Sequence, residues 1–208
     1  MSRHSRNNFG FTLAELAVSI AIVSIILTVV VSSQSTYTDL ATLTNLADDI
    51  GLTISQAQAY GIGVKEFSPG TSEFTASYGL AFNLLASGSN IAYIYFADRG
   101  VPGDKIYNGD WTCPIGGASE CLGKTNISRG NYIDSLCAVI AAAADICSVG
   151  RVDISFARPN TEAQLLLLDL GGAAYNPAGL IGTRIVLRSP SGSTRSVVVY
   201  KTGQISVQ

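Results

Sequence analysis

The sequence predicts an α+β fold, in which a long N-terminal α-helix, membrane-spanning in its first half, packs on a β-rich globular head. Three observations predict it. Residues 16–38 contain no charged side chain. An apolar stripe with helical spacing continues to about Tyr60. From about Ile62 the pattern changes to short β-type runs separated by glycine, proline, asparagine and serine.

Composition and charge limit the protein class. The chain has 208 residues, of which 47% are hydrophobic and only 13% are charged, so part of it is expected in lipid. The formal net charge is −2 and the charges are scattered. Because a nucleic-acid surface needs a basic field, we expect no nucleic-acid partner.

The first element is a transmembrane segment at about residues 11–33. At about 1.5 Å per residue, a helix of this length spans the roughly 30 Å hydrocarbon core of a bilayer. Arg3 and Arg6 precede it. The positive-inside rule therefore keeps the N-terminus in the cytoplasm and places the head outside.

Glu15 lies just inside the apolar run, and each interpretation of this segment must account for its carboxylate. The alternatives are a secretory signal cut near residues 31–33, a plain signal anchor and a buried core helix. A secretory signal normally keeps its apolar region uncharged, and a plain anchor gives the carboxylate no partner. Insertion of a central carboxylate costs only about 2.5–3.5 kcal/mol, however, and an acid near a helix end can also reach water.

The motif GFTLAEL at residues 10–16, behind a short basic leader and before an apolar helix, resembles the class III signal of type IV pilins and type II secretion pseudopilins. The resemblance implies a leader peptide at residues 1–10 and cleavage by a prepilin peptidase between Gly10 and Phe11. It also implies N-methylation of Phe11 and a mature N-terminal helix over residues 11–60.

The same resemblance implies a role in assembly for Glu15. In the family's model the carboxylate meets the N-terminal ammonium of a neighbouring subunit, an attraction of about 4 kcal/mol at about 4 Å and an effective dielectric near 20. The implied partners are other pilin or pseudopilin subunits, the prepilin peptidase, the inner-membrane assembly platform and the lipid bilayer. The implied location is the inner membrane, then a pilus or pseudopilus.

The second half of the helix carries one apolar stripe. Its residues recur at steps of three and four: Leu40, Leu43, Leu46, Ala47, Ile50, Ile54, Ala57 and Tyr60. Gly51 weakens this helix. Gly61 and Gly63 form the expected stop signal, because glycine adopts the left-handed C-cap conformation easily.

The head domain, residues 61–208, is predicted to be β-rich. The strand candidates are residues 90–96, 151–156, 164–169, 183–187 and 196–200, followed by a final strand after a turn at Thr202-Gly203. Residues 188–195 are expected to form a hairpin loop through Ser191-Gly192. The closing region resembles the last strands of FimT/GspH-type minor pilins and pseudopilins, which implies a minor subunit.

Four cysteines follow the membrane segment: Cys113, Cys121, Cys137 and Cys147. An even count on the oxidising side favours two disulfides, and four cysteines allow three pairings. The local pairs, Cys113 with Cys121 and Cys137 with Cys147, are the preferred prediction. Zinc is the rival interpretation, but the spacings are long and no CxxC motif is present.

Known catalytic constellations are missing from the sequence, so we expect no enzyme. The only histidine is His4, in the expected leader. A mature chain without histidine excludes Ser-His-Asp, Cys-His and HExxH centres, and neither Ser-x-x-Lys nor G-x-S-x-G occurs. The remaining alternatives are a membrane-tethered binding module that does not polymerise and an enzyme with an unrecognised site.

Two further segments invite a ligand assignment. GGASECLGKT, residues 116–125, lacks Walker spacing and is interpreted as a disulfide-pinned surface loop. Asp98, Asp104, Asn108 and Asp110 offer oxygen ligands suited to calcium on a glycine-rich loop. The EF-hand spacing fails, and turn formation explains the same residues without metal. We therefore expect no cofactor, with calcium as a weak candidate.

Overall fold

The computed structural model describes residues 11–63, 76–99, 103–114 and 119–208. Within these ranges the chain forms one helix and nine strands. Their bounds are α1 Leu13–Ile62, β1 Ser77–Asn83, β2 Ser89–Asp98, β3 Cys121–Asn126, β4 Tyr132–Ile140, β5 Ile146–Phe156, β6 Gln164–Asp169, β7 Leu180–Arg188, β8 Thr194–Tyr200 and β9 Ile205–Val207. The chain divides into two compact units, Met1–Thr38 and Asp39–Gln208.

The second unit combines the rest of α1 with the whole β-sheet. Its helical part buries one face completely, through Leu43, Ala47, Ile50, Ile54 and Ala57. These residues follow one another at steps of four and three, which places them on one side of an α-helix. The predicted apolar stripe is therefore confirmed over its centre, whereas Leu40 at its start is 40% exposed.

The sheet is antiparallel throughout, and its strand order is β3-β2-β1-β5-β4-β7-β8-β9, with β6 paired to β5. Long β5 is the junction, since it pairs with β1, β4 and β6. Alternate side chains of each strand belong to the core that includes the helix, such as Leu80 and Phe82 of β1 and Val152 and Ile154 of β5. The α+β prediction is confirmed.

The opposite face of β1 and β2 has a small core of its own. Ala81, Ile94 and Phe96 pack there with Tyr107 from the loop before β3. The ring centroids of Phe96 and Tyr107 lie 5.6 Å apart. Because both faces are covered, every residue of β1 is buried.

Two disulfides support this arrangement. Cys113 in the loop bonds to Cys121 at the start of β3, and Cys137 in β4 bonds to Cys147 in β5. These are the local pairs that the sequence favours. A disulfide across so short a loop typically adds about 2–4 kcal/mol of stability by restricting the unfolded chain.

The expected turns close the last three strands. In the β7–β8 hairpin, the Gly192 N–H donates to the Ser189 carbonyl oxygen, and Gly192 has a positive φ of 87°. Gly203 has a φ of 86° and donates its N–H to Tyr200, turning the chain into β9. Only glycine adopts such angles without strain.

Some sequence predictions need correction. The helix continues to Ile62 instead of ending at about Tyr60, so Gly61 is helical, and Gly63 donates to the Ala59 carbonyl oxygen at the helix end. The predicted loop at residues 116–125 is wrong in its second half, because β3 begins at Cys121. Residues 115–118 lie outside the described ranges. Strands β1 and β4 were not predicted.

Gly61 allows α1 to approach β5 closely. A Cβ atom at this position would overlap the backbone carbonyl of Phe156. Gly51, in contrast, faces a side-chain methyl of Val207, which a Cβ atom would meet at 3.0 Å. The backbone at Phe156 cannot move without disturbing the sheet, whereas the Val207 side chain can shift.

We predict that Gly61→Ala lowers the free energy of unfolding by about 1–3 kcal/mol, because the added methyl overpacks the contact between helix and strand. Gly51→Ala is the matched control and should leave stability unchanged or raised by up to about 1 kcal/mol, since alanine favours the helix. Urea unfolding of the full chain in detergent micelles, followed by Trp111 fluorescence, measures both. A wild-type midpoint for Gly61→Ala would contradict this account.

Candidate functional site

Thr12 and Glu15 form a reciprocal capping box at the start of α1. The Glu15 backbone N–H donates to Thr12 Oγ1 at 3.2 Å. Glu15 Oε2 accepts from the Thr12 backbone N–H at 3.1 Å and from the Thr12 hydroxyl at 3.0 Å. The box pairs donors that a helix start otherwise leaves open, and a carboxylate there also complements the helix dipole. It fixes the beginning of α1 at Leu13, two residues after Phe11.

This box is a role for Glu15 that the sequence analysis missed. The signal was present, since residues 12–15 read Thr-x-x-Glu directly before an apolar run. Both bonds to the carboxylate end on Oε2. Glu15 Oε1 has no hydrogen-bond partner in the described part of the chain, so the carboxylate can cap its own helix and still receive a cation.

The helix after Glu15 is apolar on all sides. The span Leu13–Val31 has 19 residues and a mean hydropathy of 2.6, and none of it is buried. Its large aliphatic side chains are 51–86% exposed. At about 1.5 Å per residue the span measures about 28 Å, close to the thickness of a bilayer core. By length and composition it is the one helix in the described residues that could cross a membrane.

The hydroxyl groups within this span are paired inside the helix. Ser19, Ser24 and Thr28 each donate to the carbonyl oxygen four residues earlier, at 2.8 Å in all three cases. Since lipid offers no hydrogen-bond partners, such back-bonding lets polar side chains lie in a membrane helix without an unpaired group.

The residues proposed for calcium form turns in the structure. Asp104 and Asp110 each accept the backbone N–H two residues further on, at 3.0 and 2.8 Å. Asp98 accepts the Lys105 backbone N–H at 2.6 Å, and Asn108 donates its side-chain amide to Asp104, also at 2.6 Å. No group of three or more His, Cys, Asp or Glu side chains in the described ranges could hold a metal ion. Calcium stays a weak candidate from the sequence.

A buried ion pair attaches this loop to the sheet. Asp153 is fully buried in β5 and accepts from Arg151 at 2.9 and 2.6 Å and from the Tyr107 backbone N–H at 3.1 Å. Arg151 also donates to the Tyr107 carbonyl oxygen, and the Ser155 hydroxyl donates to the Lys105 carbonyl oxygen at 2.8 Å. Burial raises the pKa of Asp153, while Arg151 opposes that shift. The sequence analysis predicted residues 151–156 only as a strand and did not predict the ion pair.

The pKa of Glu120, beside this cluster, is also shifted. Its carboxylate accepts the Asn108 backbone N–H at 2.7 Å. Burial raises the pKa of Glu120 above its ordinary value of 4.5, the Asn108 N–H lowers it, and the carboxylates of Asp98, Asp104 and Asp153 raise it again, with a net increase. Ionised Glu120 therefore opposes folding.

Comparison with known proteins identifies the N-terminal segment. The family described as the prokaryotic N-terminal methylation motif matches residues 5–31. This range contains the capping box and the whole exposed apolar span. No curated protein matches the chain. No solved structure matches it either.

The match shows a prokaryotic N-terminal methylation motif in this chain. It extends past Glu15 to Val31, so it includes the exposed apolar span as well as the expected cleavage position. Gly10 itself lies outside the described residues, whereas Phe11 is described and is 86% exposed.

We predict that Glu120→Gln stabilises the head at pH 7, because it removes the charge and keeps an oxygen to accept the Asn108 N–H. The folded carboxyl has the higher pKa, so the contribution of Glu120 to wild-type stability falls as pH rises through and above 4.5. The advantage of Glu120→Gln should stay below about 1 kcal/mol, since Glu120 is partly solvated, and should vanish in acid. Urea midpoints at several pH values measure it.

Glu162→Gln, which removes an exposed glutamate of the same head, is the control for the change in net charge. An equal gain in stability in both variants would contradict the raised pKa assigned to Glu120. A gain for Glu120→Gln that does not depend on pH would contradict it as well.

Proposed function

We propose that this protein is a non-enzymatic structural subunit, a minor pilin or pseudopilin, of a type IV pilus-like filament or a type II secretion pseudopilus. The observation that carries the proposal is the methylation motif at residues 5–31, which coincides with an apolar helix that its own chain leaves exposed. Such a helix needs lipid first and neighbouring helices later, and a filament subunit passes through both environments.

Processing follows from the motif. A prepilin peptidase cuts between Gly10 and Phe11 on the cytoplasmic side, and the new amino group of Phe11 is methylated. The subunit is held in the inner membrane by Leu13–Val31, with its head outside. The two disulfides support this side of the membrane, since disulfides persist in oxidising compartments.

Glu15 guides assembly in this proposal. Its Oε2 atom is occupied by Thr12, while Oε1 remains for the ammonium of Phe11 in a neighbouring subunit. The expected attraction of about 4 kcal/mol at about 4 Å is as large as the cost of inserting a carboxylate, about 2.5–3.5 kcal/mol. The capping box lowers that cost before a neighbour arrives, because it already gives the carboxylate two donors.

The assignment to a minor, FimT/GspH-like subunit rests on the closing strands. Residues 184–207 fold as the β7–β8 hairpin and the short strand β9, with Gly203 at the last turn. This is the arrangement that the resemblance implies for the sequence TGQISV. The proposal includes the inner-membrane assembly platform and sibling subunits as partners.

The alternative function is a membrane-tethered binding module that never polymerises. A tether needs the apolar span but has no use for cleavage after Gly10 or for a free oxygen on Glu15. The methylation motif therefore favours the filament subunit.

We predict that Glu15→Gln inserts into the membrane and folds normally but enters filaments at least tenfold less efficiently. Glutamine can still complete the capping box with Thr12, so this variant removes only the charge. Thr12→Val is the matched control, because it breaks the box and keeps the carboxylate. Quantitative immunoblots of sheared filaments and membranes measure incorporation.

If Glu15 serves only to cap its own helix, Thr12→Val enters filaments less efficiently than Glu15→Gln. Normal incorporation of Glu15→Gln together with poor incorporation of Thr12→Val would therefore contradict the assembly role.

A further inference from the structure

The charged side chains of this chain are separated by sign. Residues 13–62, which form α1, include acidic side chains but neither lysine nor arginine. Residues 170–208, which contain β7–β9, include basic side chains but no acid. Surfaces of opposite charge attract each other and fix the orientation of a complex. The head therefore carries two surfaces that complement each other in charge.

Arg195, near the start of β8, is a basic residue of this region without a partner. Arg184 pairs with Asp145 at 2.6 Å, and Arg188 pairs with Asp134 at 2.9 Å. The half-buried side chain of Arg195, in contrast, makes neither an ion pair nor a hydrogen bond with any described residue. Its charge and its N–H donors thus remain available to an acidic group of another molecule.

Asp48 and Asp49 are the matching acids on α1. Both are exposed, and neither carboxylate has an ion pair or a hydrogen bond within the described ranges. Leu52, one helical turn further on, is 68% exposed. Because residues three and four apart are neighbours on a helix surface, Leu52 lies beside both carboxylates.

Strand β9 brings the two sets of charges to one side of the head. A Cβ atom on Gly51 would meet a Val207 methyl group at 3.0 Å, so Val207 contacts the helix at the residue before Leu52. Val207 pairs with Val197 of β8, two residues after Arg195. Val197 belongs to the core that includes the helix. Since side chains two residues apart share a face of a strand, Arg195 lies on the face of the sheet that α1 covers.

An apolar centre lies between the acids and the arginine. Val207 lies between the helix and β8 and is 39% exposed, close to the exposed side chain of Leu52. An apolar centre with charged groups at its rim is the usual composition of a protein–protein interface. We call these residues the mixed patch, which consists of Asp48, Asp49, Leu52, Arg195 and Val207.

We propose that the mixed patch binds the same patch of a second copy of this chain. A patch that carries both charge signs can pair with itself across a twofold axis. Asp48 and Asp49 of each copy then meet Arg195 of the other, around an apolar centre formed by Leu52 and Val207. A partner of one charge sign, such as nucleic acid or an anionic membrane, would attract Arg195 but would be repelled by both aspartates.

The proposal goes beyond the proposed function, because it uses no residue of the membrane span and requires neither cleavage nor a filament. Association through the apolar span Leu13–Val31 is the same in every variant of the head. A failure of one proposal therefore leaves the other unaffected.

The test is sedimentation equilibrium of the full chain in density-matched detergent micelles. We expect a reversible dimer of the wild type. Arg195→Glu gives a patch with acids only, and the double variant Asp48→Lys with Asp49→Lys gives a patch with bases only. Each should weaken dimerisation at least about tenfold, because like charges then face each other. An equimolar mixture of the two variants should restore the dimer, since an acidic patch then meets a basic one.

Lys201→Glu is the matched control, because it makes the same change of charge outside the mixed patch. Lys201 lies in the turn before β9, where Gln58 donates to the Gly203 carbonyl oxygen at 3.0 Å. Gln58 is about 10 Å along the helix from Gly51, at about 1.5 Å per residue. This variant should dimerise like the wild type. About 0.5 M salt should weaken the wild-type dimer by screening the charges.

Leu52→Ala should also weaken dimerisation, because it reduces the apolar centre, and its exposed position makes it harmless to folding. If Arg195→Glu fails to fold by circular dichroism, Leu52→Ala and the aspartate variant still decide.

A wild type that stays monomeric at about 0.1 mM would overturn the proposal, as would a dimer that none of these variants weakens. A mixture of the two folded charge variants that fails to dimerise would overturn it as well. An effect of Arg195→Glu without an effect of the aspartate variant would assign Arg195 to a different acidic partner.

Discussion

An apolar helical surface that its own chain leaves uncovered is the constraint on which the rest of the structure depends. From Leu13 to Val31 the helix presents aliphatic side chains on all sides, so water is excluded as its natural environment. The polar side chains of the span are also suited to an environment without water, because each has a hydrogen-bond partner in its own helix. The hydroxyl groups bond to the helix backbone, and Glu15 closes a capping box with Thr12. Lipid, or a bundle of similar helices, is the environment that satisfies such a surface.

From residue 39 onward the same helix packs in the core of the head. One face becomes the centre of the head core, and Gly61 lets it approach the backbone of β5. On the other side of the sheet, a loop held by a disulfide and by the Arg151–Asp153 ion pair covers β1 and β2. A buried pair of this kind is weak evidence for stability, but breaking it leaves an uncompensated charge. Its role here is to fix the loop to the sheet.

The sequence was most informative where one residue period dominates. The apolar span and the helical stripe follow from spacing, and strands β2 and β5–β9 follow from β-type runs between turn residues. Strand β1 could not be predicted in this way, because burial on both faces removes the alternation of polar and apolar residues. Strand β3 carries glycine, lysine and asparagine at an edge, and these residues are typical of loops. The capping box was visible as Thr-x-x-Glu, whereas the free oxygen on Glu15 required coordinates.

The measurement that tests the central claim most directly is the intact mass of the protein isolated from its native membrane or filament. The account predicts the mass of residues 11–208 with one added methyl group and two disulfides. The variant Gly10→Leu, analysed in parallel, should keep residues 1–10 and accumulate in the membrane. A native protein that still begins at Met1, or a Gly10→Leu variant with the same N-terminus as wild type, would contradict the account.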